Sequence, residues 1–313
     1  MRSHTLKSLG CLASWMLITS VAPEAHAQPG APNETLREQQ RRERNRQIDA
    51  GIVRQMLSLT RVTDRVAQDA VVEWDEKRRE AAQASGFQLL LRSRILVASV
   101  ASGTATDAEI AAKLADLRAA LQSEKERRTV ALFDLKAKTN YEQDPNLETA
   151  LMLLGVVGEE AATLGATPLA LNRLGVKTVP EAAKKLLPGD EVLQTTLVQF
   201  VREQERALQP LLVLLDKNRT DEVTGRTALT DETRRAFLTD FRAKVADFQL
   251  KRERALVRLD AKIDYLHKPR LEAALLLMGV TSNDISLLDG FNLHGPRAFK
   301  RYSDLITGQP ING

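Results

Sequence analysis

Residues 127–156 return 124 positions later as residues 251–280, with the same residue at 15 of the 30 aligned positions. Arg128, Leu132, Leu135, Lys138, Tyr141, Pro145, Leu147, Glu148, Leu151 and Gly155 meet Arg252, Leu256, Leu259, Lys262, Tyr265, Pro269, Leu271, Glu272, Leu275 and Gly279. A fixed long period of this kind signals a duplicated structural unit. The match continues upstream: Thr106, Asp107, Leu114, Asp116 and Arg118 meet Thr230, Asp231, Leu238, Asp240 and Arg242. Further back the offset becomes 126, with Asp64, Gln68 and Val72 meeting Asp190, Gln194 and Val198, and Trp74 meeting Phe200. A two-residue length difference therefore falls between about 83 and 105, where a solvated connection would accept it most cheaply.

The periodicity of the repeat is helical. In the second copy Phe237, Phe241, Val245, Phe248, Leu256, Leu259 and Ile263 recur mostly at three- and four-residue intervals, the pattern of an amphipathic helix packed along one side. Thr106-Asp107-Ala108-Glu109 predicts a capping box at the start of the first long helix. Thr230-Asp231-Glu232-Thr233 keeps the cap residue and lacks the reciprocal glutamate. Pro145 and Pro269 end both long helices and suit the first turn of a short one. The short helices run to Gly155 and Gly279, candidates for left-handed carboxyl caps. They are apolar almost all round and should be buried, either against their own copy or against each other. The expected fold is mainly α: two tandem copies of an antiparallel helical module with long amphipathic helices, the first helix of each predicted over about 64–84 and 190–208.

The amino terminus predicts export. Arg2 and Lys7 precede an apolar run from Leu9 to Val21 that ends at Ala25-His26-Ala27, the layout of a signal peptide too short to span a bilayer comfortably. Cleavage after Ala27 removes Cys11, the one cysteine, so stability must come from packing. It also removes Arg2, Lys7 and Glu24, which lowers the formal net charge of +4 by one. So balanced a chain does not suit nucleic acid. The expected organisation is a signal peptide over 1–27, a polar lead-in over 28–55, helical modules over 56–160 and 186–282, a linker over 161–185 and an irregular tail over 283–313. The expected location is the periplasm, with the mature chain soluble.

Chemistry leaves little trace. A di-metal helical bundle needs repeated Glu-x-x-His on inward faces. Only His267 and His294 survive cleavage, and the first-copy counterparts of Asp264 and His267 are Asn140 and Gln143, so neither a metal nor a cofactor is expected. His267 suits the carboxyl end of a helix, and Glu148 and Glu272 suit the positive ends of the short helices. Tyr141 and Tyr265 should pack with the hydroxyl at the surface. The reading is therefore non-enzymatic. Arg37, Arg41, Arg42, Arg44 and Arg46 form one dense basic stretch that suits weak contact with an anionic membrane surface. Phe237, Phe241 and Phe248 are the candidate partner-binding residues, since aromatic rings give much contact area for little entropy; the alternative is that all three are core residues covered by the helix over 190–208.

Leu229-Thr230-Asp231-Glu232-Thr233 opens the second long helix, and its first two positions match the Leu-Thr-x-x-Gln motif of the Spy and CpxP periplasmic stress proteins. At the first long helix Ala105-Thr106-Asp107-Ala108-Glu109 matches the threonine alone. The resemblance implies a helical cradle that binds unfolded clients or senses envelope stress without cofactor or turnover. The alternative is a scaffolding envelope protein that oligomerises or holds partners through its helices.

Overall fold

The computed structural model describes residues 32–154, 156–157, 174–225 and 229–281. The segments read as signal peptide and tail, most of the expected linker, Gly155 and His294 lie outside these residues. The described chain is mainly α-helical, with no strand among the described residues. It divides into Met1–Arg44 and Asn45–Gly313. In the first unit the described residues open helix α1 (Pro32–Leu59), where Arg42 pairs with Glu38 one turn away at 2.9 Å.

The second unit carries the rest of α1, then α2 (Arg65–Ser102), α3 (Asp107–Thr139), a 3-10 turn over Tyr141–Gln143 and α4 (Pro145–Leu153). Within the end of the expected linker lies α5 (Val179–Leu186), followed by α6 (Glu191–Thr224), α7 (Asp231–Ile263), a 3-10 turn over Tyr265–His267 and α8 (Pro269–Leu277). The caps explain the boundaries. Asp64 accepts from the Val66 amide to start α2, and Asp190 accepts from Leu193 to start α6. The predicted capping box is present at Thr106 and Glu109. A second forms where none was expected, because the Thr233 hydroxyl accepts from the Thr230 amide at 2.9 Å and stands in for the missing glutamate.

Both long helices stop at a left-handed residue that is not glycine, Asn140 (φ 47°) and Asp264 (φ 55°). Short polar side chains tolerate that conformation best. Pro145 and Pro269 then stand in the first turn of the short helices, where no amide donor is missed. Gly279 adopts the left-handed conformation (φ 71°) expected of it.

The first helix of each repeat is much longer than its pattern predicted. α2 does not break near 84 but runs 38 residues to the left-handed cap Gly103, and α6 runs 34 residues to Gly225 straight through Pro210. The length difference is thus a trade: four fewer residues of helix in the second copy and two more in the loop that follows. Pro210 costs α6 the amide that would have bonded Arg206, yet Leu208, Leu211 and Leu215 are buried on either side of it, and that packing holds the helix on course.

Along α2 and α3, Trp74 meets Ala131, Ser85 meets Glu124, Arg92 meets Asp116 and Ser99 meets Lys113. Partner numbers fall on α3 as they rise on α2, so the two helices lie side by side along their length. The short helices are buried as expected, each in a core that contains helices of its own repeat and of the other. α4 packs on α7, and α8 packs on α3 and α2. Each short helix therefore completes the other repeat.

Two cores result. One joins the loop ends of α2 and α3 (Leu96, Ile110, Leu117) to α5, the start of α6, the end of α7 and α8. The other joins the end of α1, the start of α2 (Val71, Trp74), the end of α3 and α4 to the loop ends of α6 and α7 (Leu215, Leu238, Phe241). Burying one such leucine is worth roughly 1.5–3 kcal/mol. α5 occupies in the first core the place that Val53, Met56 and Leu57 of α1 occupy in the second, so this end of the expected linker belongs to the packed structure. Ile48 of α1 stays exposed while Ile52 is buried.

Candidate binding surface

Phe241 is 2% exposed. Its ring centroid lies 5.8 Å from that of Phe237, and Phe237 and Phe248 lie half-buried against the same core. What covers Phe241 is non-local: Met152 of α4, brought from the other repeat, shares with it a cleft of about 150 Å³ whose rim carries the Glu148–Arg242 ion pair. A helical wheel of α7 cannot see that cover.

A stripe of three uncovered apolar residues lies on α2. Phe87 is 67% exposed, Leu91 43% and Ile95 44%. They are spaced four residues apart, and such a spacing places them on one helix face over on the order of 12 Å. No aspartate or glutamate occurs between Glu80 and Asp107, and the charged residues of that stretch are Arg92 and Arg94. Arg92 is held by Asp116 at 2.9 Å, and Arg94 is exposed. α6 is built differently on the corresponding face: Val213 is exposed, but the next turns carry Lys217 and Asp221, paired at 3.2 Å. Soluble proteins seldom leave large apolar residues contiguous at the surface, and where they do the patch marks an interaction site. The absence of acidic residues over 81–106 was the sequence signal for this face.

Two buried carboxylates, Glu124 and Asp75, are held by neighbouring arginines. Glu124 accepts from Ser85, Arg127 and Arg128 between α2 and α3. Burial alone would raise its pKa, but the arginine hydrogen bonds outweigh burial and hold the carboxyl below its usual value. Asp75 is pushed the other way, burial raising it despite Arg78. A cleft of about 300 Å³ beside Trp74 is rimmed by Glu73, Lys77 and Lys138. Hydrogen bonds from Lys77 and Lys138 lower Glu73, so that carboxylate is held by its neighbours. Among the described residues no group of three His, Cys, Asp or Glu side chains could hold a metal ion, and no helix is long and apolar enough to cross a membrane.

Glu148 and Glu272 do more than face a helix dipole. Each pairs with an arginine of the other repeat, Glu148 with Arg242 and Glu272 with Arg118. Tyr141 and Tyr265 are buried, and that burial raises both above the ordinary tyrosine range. Arg37, Arg41, Arg42 and Arg44 are exposed along α1, whereas Arg46 reaches Glu76 and Glu80 of α2 at 3.3 and 2.5 Å.

His267 is fully exposed and hydrogen-bonds the Asp264 carboxylate at 2.6 Å rather than a helix carbonyl. That bond favours the imidazolium and raises His267 above 6.5. A raised pKa adds stability at acidic pH that disappears as pH rises through the folded-state value. NMR titration is expected to find His267 above 6.5 and to find it returned to about 6.5 in Asp264→Asn; an unshifted wild-type His267 contradicts the pairing.

The sequence matches no protein-family model, and comparison with curated proteins and with solved structures gives no match to either.

Proposed function

We propose that the mature protein is a non-enzymatic, exported helical protein of the periplasm that holds unfolded or partner proteins on the uncovered apolar face of α2. The observation that carries this reading is the stripe Phe87, Leu91 and Ile95, exposed beside Arg94 with no acidic side chain in that stretch of helix. Extended chain exposes apolar groups that such a face would cover, and the one acidic neighbour on α3, Asp116, is already paired with Arg92. The fold that presents the face is two tandem copies of an antiparallel helical module, each completed by the short helix of the other. The Leu-Thr start at Leu229-Thr230 agrees with a Spy- or CpxP-like role. The basic opening of α1 suits weak contact with an anionic membrane surface that would keep the protein near the envelope.

In the test, purified mature protein suppresses aggregation of an unrelated unfolded protein at near-stoichiometric amounts without ATP. Phe87→Ser/Leu91→Ser weakens suppression several-fold and leaves the unfolding midpoint nearly unchanged, because substitutions at exposed positions typically shift stability by less than about 0.5 kcal/mol. Full suppression by the double variant removes α2 as the surface, and no suppression by the wild type removes the chaperone-like role. The second reading, an envelope scaffold, is favoured by the exchanged short helices, which bind the repeats into one frame. That reading expects no suppression and a defined oligomer by sedimentation.

A further inference from the structure

The contacts that join the two repeats are of two kinds. One kind is the same on both sides: Arg118 pairs with Glu272 at 2.5 Å, and their repeat mates Arg242 and Glu148 pair likewise. Such contacts would serve two first repeats, or two second repeats, just as well as one of each. The other kind differs between the sides, and it sits where each short helix meets the loop end of the opposite long helices.

At the loop end of α6 and α7, Glu222 and Arg234 are both buried and joined by two hydrogen bonds of 2.8 Å. Arg234 also donates to Asn146 of α4 at 2.7 Å and to the Leu229 carbonyl at 3.3 Å. At the loop end of α2 and α3 the guanidinium comes from the other partner. Ile110, the repeat mate of Arg234, is fully buried. Val100 stands three residues before the cap Gly103, as Glu222 stands three before the cap Gly225. The short helix supplies the donor: Arg270, the repeat mate of Asn146, bonds the Val100 and Ala105 carbonyls at 2.7 and 2.6 Å. Ala105 is itself the mate of Leu229, so an arginine reaches the same loop carbonyl in both places, once from the hairpin and once from the short helix.

We propose that this placement of arginines is a recognition code by which each half of the chain accepts only the opposite half, in its own chain or in a second copy. Pairing two second repeats would set Arg270 against Arg234 with Glu222 as the shared carboxylate, leaving a buried charge without its partner. Pairing two first repeats would set Asn146 against Ile110 and leave the Val100 and Ala105 carbonyls without the donor that Arg270 gives them. Unlike halves satisfy every one of these groups. Self-association of this protein therefore takes the form of reciprocal exchange between two copies, each first repeat closing on the other copy's second repeat.

The test uses the full chain with a protease site inserted within 158–173 and cut after folding. Native mass spectrometry of the nicked protein is expected to find the halves joined one to one. Heavy and light preparations mixed and relaxed in mild denaturant yield heavy–light pairs that always hold one first and one second half. Asn146→Arg weakens pairing by roughly a hundredfold to a few thousandfold, the range that corresponds to the cost of an uncompensated buried charge. Adding Glu222→Val and Arg234→Ile rebuilds at this site the arrangement of the other, and pairing returns. Like pairs at comparable abundance, unaltered pairing in Asn146→Arg, or no recovery in the triple variant overturns the proposal.

Discussion

Arg234→Met is expected to lower the unfolding free energy by about 3–5 kcal/mol, the cost of breaking a buried ion pair by removing one partner. Arg234 is 2% exposed and Glu222 5%, so the carboxylate left behind has no water to turn to. It would stay buried at the loop end of α6 and α7 without the two 2.8 Å bonds that now satisfy it. Asn146 loses its 2.7 Å donor in the same step. Removing Glu222 together with Arg234 costs less than removing Arg234 alone, since no orphaned charge remains. Denaturant unfolding gives the measurement: the midpoint falls while the slope keeps its wild-type value. A loss below about 1 kcal/mol contradicts a buried, mutually dependent pair and makes the contact a surface ion pair in energetic terms.

That pair also marks where the sequence stops being legible. Helix starts are local chemistry, and Thr106, Asp107 and Glu109 announced theirs, as Pro145 and Pro269 announced the short helices. The lengths of α2 and α6 were harder. Gly86 and Pro210 are poor helix formers, and in α2 the residues after Gly86 blur the amphipathic pattern because apolar side chains stand on both sides of the helix, in the core and in the uncovered stripe. The partner of each short helix was not legible at all. Leu147, Leu151, Leu271 and Leu275 would fit the apolar groove of either repeat, so the duplication is silent on whether the groove is filled in place or by exchange. Only the positions where the repeats disagree, Ile110 against Arg234 and Asn146 against Arg270, carry that information, and they acquire meaning once seen side by side. The candidate surface followed the same logic: aromatic content favoured α7, while burial by α4 turned its central ring inward and left the acid-free face of α2 outside.

Phe241→Ser tests that reassignment most sharply. Truncating a buried phenylalanine costs about 3–5 kcal/mol through lost transfer energy and the cavity left behind. Phe237 loses its ring neighbour in the same substitution. Phe248→Ser should cost less, because Phe248 is half-buried at the edge of the core, and Phe87→Ser should cost almost nothing in stability. The expected order of destabilisation is Phe241, then Phe248, then Phe87, and the expected order of lost aggregation suppression, measured at a temperature where every variant is folded, places Phe87 first. If Phe241→Ser unfolds within about 1 kcal/mol of the wild type and loses suppression, the binding surface belongs to α7 and α4 does not cover it in solution. If it unfolds early and suppresses normally at low temperature, the ring is core and the stripe on α2 remains the surface that clients meet.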